Sequence, residues 1–63
     1  MLTKFQKEFI QMFENGLTVE DVADKLWIDV DSVRKNVYRI KKKLNVTSMQ
    51  EIIEITRRLR DDD

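Results

Sequence analysis

The chain has no cysteine and no histidine. That removes disulfides, thiolate and imidazole metal sites, Cys–His nucleophiles and imidazole acid–base chemistry. A single glycine leaves no glycine-rich phosphate loop. The absence of proline fits uninterrupted helices. No apolar run approaches the roughly 18 residues that span a bilayer, and no basic-then-apolar leader opens the chain. A cytoplasmic protein is expected, without a membrane partner, a metal, a cofactor or a small-molecule ligand. The carboxylates fall on scattered positions with no nucleophile or imidazole to work beside, so an enzyme is not expected.

At 63 residues the chain is a single small domain, close to the least that one core can hold together. Its 41% hydrophobic and 38% charged residues fit a compact helical chain. The net charge is zero, but the charges are blocked. Residues 1–31 hold three lysines and seven acids, a balance of −4. Residues 32–44 hold Arg34, Lys35, Arg39, Lys41, Lys42 and Lys43 and no acid, a balance of +6. Residues 45–63 hold three arginines and five acids, a balance of −2. Such a block says more about partners than the overall charge does.

Apolar spacing gives four helices. Thr3 with Gln6 reads as a capping box, and Leu2, Phe5, Phe9, Met12 and Phe13 follow at steps of three and four. Gly16 ends this helix. Thr18 with Asp21 caps a second, with Val19, Val22, Ala23 and Leu26 on one face. Trp27 and Ile28 form a tight turn, and Asp29 caps a third helix. There Val30, Val33, Val37, Ile40 and Leu44 make one narrow stripe. Asn45 stops it, because asparagine tolerates the left-handed conformation. Thr47 with Gln50, or Ser48 with Glu51, opens a fourth helix. The expected fold is all-α: a compact four-helix (tetrahelical) helix-turn-helix domain over residues 1–60. Its helices lie at about 3–15, 18–26, 30–44 and 48–60, and residues 61–63 form a solvated acidic tail.

At roughly 100° per residue, Lys35 and Lys42 fall opposite the aliphatic stripe of the third helix. Asp31, Tyr38 and Arg39 lie beside them, and Arg34, Lys41 and Lys43 on the flanks. A solvated face would also be basic, and cations favour the C-terminal half of a helix. Two facts favour a working surface: the acids are segregated from this helix, and it follows a short helix at helix-turn-helix spacing. A helix of this kind enters the major groove of double-stranded DNA. Arg34 or Lys35 near its start would donate to guanine edges, and Tyr38 would reach a base or sugar one turn on. Lys41, Lys42 and Lys43 would lie on phosphates. On the fourth helix Met49, Ile52, Ile53 and Thr56 make a core stripe. Ile52, Ile55 and Leu59 make a second, which is expected at a homodimer interface. Arg57, Arg58 and Arg60 either contact phosphate or balance the tail.

In order and spacing these motifs resemble the LuxR/GerE-type DNA-binding domain of bacterial transcription regulators. The Leu-Thr opening is Leu2-Thr3, the glycine before the second helix is Gly16, and "TVEDVA" (Thr18–Ala23) matches "(S/T)xxEIA". After Leu26, Trp27-Ile28-Asp29 stands for "(F/W)IS", and Val30-Asp31-Ser32-Val33-Arg34 for "xxTVK". Ile40, Lys43, Leu44 and Val46 match "IxxKLxV". The resemblance runs from residue 2 to about 59. It implies a tetrahelical helix-turn-helix, sequence-specific DNA binding and dimerisation through the fourth helix. It also implies base contacts at Arg34, Lys35 and Tyr38; Asn36, Arg39 and Lys41–Lys43 are expected toward the DNA backbone. Phe5-Gln6 stands where the family has Arg-Glu, Asp29 where it has Ser, Asn36 where it usually has His, Asn45 where it has Gly, and Met49 where it has Arg. A second function is a protein-interaction module, like the promoter-binding end of sigma factors. Its acidic second helix would then meet RNA polymerase or another regulator.

Overall fold

The computed structural model describes residues 1–61, and those residues form four helices. These are α1 (Lys4–Glu14), α2 (Val19–Leu26), α3 (Val30–Leu44) and α4 (Met49–Asp61). The tail expected over 61–63 lies outside the described residues apart from Asp61, where α4 ends.

Each helix starts where a side chain satisfies an orphan N–H. Thr3 Oγ1 accepts from Gln6 N–H at 3.0 Å while Gln6 Oε1 accepts from Thr3 N–H at 2.9 Å. Thr18 and Asp21 repeat that reciprocal box at α2. Asp29 accepts from Ser32 N–H at 2.7 Å to open α3. Of the two caps open for α4, Ser48 takes the role: its Oγ accepts from Glu51 N–H at 3.2 Å. Both Thr47 and Ser48 hydroxyls donate to Glu51 Oε1.

Three helix ends share one device. Gly16, Trp27 and Asn45 all have positive φ, at 92°, 59° and 57°. After α1, Gly16 N–H donates to Phe13 O and Leu17 N–H to Met12 O, the paired bonds of a Schellman motif. After α2, Trp27 and Ile28 donate likewise to Asp24 and Ala23. After α3, Asn45 and Val46 donate to Lys42 and Lys41. Tryptophan is a costly residue here, because a Cβ crowds the carbonyl in the left-handed region by about 1–2 kcal/mol. Its ring gains little in return, since Trp27 is 94% exposed.

The core is Leu2, Phe9, Ile10, Val22, Ala23, Val33, Ile40 and Ile52. Small Ala23 lies buried on α2, the helix that packs most extensively against α3. Phe9 packs its ring 5.9 Å from Phe5 and edge-on to Phe13 at 5.3 Å. Two residues of α1 depart from the expected stripe. Phe5 is 48% exposed, whereas Ile10 is buried. The buried arc of α1 is therefore turned toward Ile10, which meets the other helices while Phe5 sits at the edge. Thr56 is the buried polar residue, and its Oγ1 donates to Ile52 O at 2.9 Å.

Ile52 corrects the expected dimer surface. It is 0% exposed and sits in the core of the monomer. The two apolar stripes of α4 overlap at this position, and the core stripe claims it. Ile55 is half-buried and Leu59 is 52% exposed, so these two remain at the surface. Leu59 also lines a crevice with Leu2, Lys7 and Gln11, at the boundary between α1 and α4.

The arginines of α4 take a role not foreseen in the sequence. Arg57 Nε and Arg60 Nη2 both reach Glu14 Oε2, at 2.9 and 2.6 Å. The Glu14 side chain is only 10% exposed. The pair of guanidinium groups, Arg60 first, holds its carboxyl below the ordinary carboxylate range. The end of α1 is thereby fastened to the end of α4.

Candidate nucleic-acid interface

The α2–α3 turn sets α3 across the domain with Val33 and Ile40 fully inward and Val30, Val37 and Leu44 packed against the core. The opposite face is consequently in solvent. Asp31, Arg34, Lys35, Tyr38, Arg39 and Lys42 are all exposed there. Among the described residues, the ion pairs are those of Glu14 with Arg57 and Arg60, and none of them involves a cation of α3. The cationic surface is thus available to an outside anion.

Lys42 Nζ stands 5.7 Å from the centroid of the Tyr38 ring. This cation–π contact joins two consecutive turns of the exposed face. Tyr38 is 61% exposed, so the other side of its ring is open to a stacking or sugar contact.

On one flank, Arg34, Tyr38 and Lys41 line a groove whose floor includes Phe13, Leu17 and Val19, with a volume of about 460 Å³. Lys41 is half-buried there, which lets an apolar stem lie on apolar surface while the ammonium stays wet. Arg34 and Lys41 therefore stand beside the N-terminal end of α2, whose first turn carries Glu20 and Asp21.

The other flank separates from the interface. Asn36 is half-buried and its Nδ2 donates to Ser32 O at 3.0 Å within α3. Lys43 Nζ donates to Gln6 Oε1 at 3.2 Å, tying the end of α3 to the cap of α1. Each of these two expected backbone contacts thus has a hydrogen-bond partner within the domain. Gln6 Oε1 both closes the capping box and accepts from Lys43. The sequence held no signal for that cross-chain bond, since the partners lie 37 residues apart.

The two aspartates at the start of α3 differ. Asp29 is occupied as the cap, and hydrogen bonds from the Ser32 side chain and backbone, then the nearby Lys35, hold its carboxyl below the ordinary range. Asp31 lies in the first turn on the exposed face and takes part in no hydrogen bond or ion pair among the described residues. The solvent side of α2 carries Glu20 and Asp24, both exposed, and Trp27 projects at its end.

Among the described residues no helix is long and apolar enough to cross a membrane. No curated protein and no solved structure matched the chain. One family model did: that of the bacterial regulatory proteins of the luxR family, GerE, which matches residues 1–56. That span takes in all of α1 to α3, the turn between α2 and α3, and the first half of α4. With four helices and no strand among the described residues, and a match over most of its length, the chain belongs to the LuxR family of bacterial regulatory proteins.

Proposed function

We propose that this chain is a sequence-specific DNA-binding transcription regulator that inserts α3 into the major groove of double-stranded DNA. The observation that carries this reading is the unpaired cationic face of α3, set opposite its core stripe, in a chain that belongs to a family of regulatory proteins. Arg34, Lys35 and Tyr38, in the first half of the helix, are the base-reading residues. Arg39, Lys41 and Lys42 neutralise phosphates, which makes affinity fall steeply with salt. The cytoplasm, where the chromosome is, is the compartment this role requires. The test is binding to a random-sequence duplex as salt is raised: a steep loss of affinity supports the proposal, and no binding at low salt refutes it.

We propose further that two copies pair through α4, using Ile55 and Leu59. A two-fold axis there would place two α3 helices on half-sites of a palindromic operator. Sedimentation of the parent against Ile55→Asp tests this. A shift from dimer to monomer supports it, and two monomeric profiles refute it.

A second reading rests on a different surface. Glu20 and Asp24 on α2, with the exposed Trp27, form an acidic and aromatic patch that fits a basic protein surface such as one on RNA polymerase. In that reading the domain is a protein-interaction module that acts without touching DNA. It is favoured if the chain binds no duplex at low salt.

A further inference from the structure

Asp31 is a carboxylate on a surface otherwise built to attract polyanions. The neighbouring aspartates have structural uses: Asp21 closes the cap of α2 and Asp29 caps α3. Asp31 has none among the described residues, and it is exposed. Around the helix it lies within about 40° of Lys35, Tyr38 and Lys42. Along the axis it precedes Lys35 by one turn, about 6 Å, a distance of less than two base-pair steps. On a face that approaches phosphates it weakens binding to every duplex alike, unless it meets a donor.

We propose that Asp31 is a specificity-determining residue that accepts a hydrogen bond from the exocyclic amino group of a cytosine. This rests on the placement of α3 in the major groove. The chemistry of the groove selects the base. Guanine presents only acceptors, O6 and N7, which repel a carboxylate. Thymine presents the O4 acceptor and a methyl group. Adenine offers its N6 amino group, but the N7 acceptor stands beside it. Cytosine N4 is the donor with no acceptor of its own base next to it in the groove. The acid therefore acts as a filter: it lowers affinity for most sequences and gives it back where a C·G pair faces it. Lys35, one turn on, is a donor suited to guanine, so acid and base together read pairs of opposite polarity within two steps of each other.

The test is repeated enrichment of bound duplexes from a random-sequence pool, at one salt concentration, with the parent, Asp31→Ala and Asp31→Asn. Far-UV circular dichroism verifies that both variants fold, as expected for an exposed position. The parent is expected to enrich sites with C·G at one position, favoured about ten-fold over other pairs. Asp31→Ala loses that preference and keeps the rest of the site. Asp31→Asn changes it to A·T, because an amide pairs with adenine N6 and N7. Identical sites from all three proteins overturn the proposal while leaving DNA binding in place. So does a uniform rise in affinity with an unchanged site, which reduces Asp31 to a repelling charge. If the parent enriches nothing, the DNA-binding reading itself is refuted and this inference falls with it.

Discussion

Lys42 Nζ stands 5.7 Å from the centre of the Tyr38 ring, so one proposed phosphate contact and one proposed base reader form a single unit. Contacts of this type at exposed sites contribute about 0.5–1 kcal/mol. A double-mutant cycle on DNA affinity with Tyr38→Ala and Lys42→Ala is therefore expected to be non-additive by about 0.5 kcal/mol. Additive losses would show that the two side chains act separately on the duplex.

Trp27 occupies a left-handed position with nearly all of its surface in water. Trp27→Gly removes the Cβ clash and sacrifices little burial. Glycine's larger unfolded-state entropy offsets part of the gain, so the variant is expected to be stabilised by roughly 1 kcal/mol. Urea unfolding measures this directly. A loss of stability would mean that the indole makes a contact worth more than the backbone strain.

Ile52 and Ile55 separate the core from the proposed interface. Ile52→Ala is expected to cost about 2–5 kcal/mol, as for other large-to-small core changes. That cost should not depend on protein concentration, because the side chain is buried within one copy. If two copies pair as proposed, Ile55→Ala has a small effect on the monomer and lowers stability most at high concentration, where pairing is favoured. Thermal unfolding at two protein concentrations distinguishes them, and a concentration-dependent Ile52→Ala would contradict its placement in the core.

Three carboxyls report on acid. Glu14 is held low mainly by Arg60, Asp21 by its backbone and side-chain bonds to Thr18, and Asp29 by those to Ser32. Folded pKa values below the unfolded ones mean that the native chain binds fewer protons, so these groups favour the fold above the ordinary carboxylate range, about pH 4. That contribution is lost as pH falls through the lower, folded values. Stability should thus be flat from pH 7 to 5 and decline below about 4. In Glu14→Gln part of the acid-induced loss disappears. An unchanged acid profile in this variant would show that the two arginines do not stabilise the charged form.

Much of this structure is local, and so was legible in the sequence. Capping pairs three residues apart, a valine–isoleucine stripe on α3 and an asparagine at its end are properties of neighbouring residues. The cationic face follows from the same stripe, because what is opposite a buried line must be exposed. Contacts between helices were not legible. Spacing alone assigned Ile52 to two stripes at once, and only the placement of α4 on α1 and α3 decided between them. Nothing near Glu14 announces Arg57 and Arg60, more than forty residues away. Lys43 was read with its basic neighbours, and its bond to Gln6, 37 residues away, had no local signal. Ile10 was missed because the aromatic stripe of α1 drew the buried face toward Phe5.

The central claim, that the face of α3 binds DNA, is most directly tested by the salt dependence of affinity for a duplex, measured for the parent, Lys35→Ala and Lys42→Ala. Each phosphate neutralised contributes a slope of about −0.9 in a plot of log affinity against log salt. Lys42→Ala is expected to weaken binding on all sequences and to reduce the slope by about one. Lys35→Ala is expected to weaken binding and to lose discrimination at one base pair, with a smaller change in slope. Parent affinity that is insensitive to salt, or equal in all three proteins, would contradict DNA binding by this face.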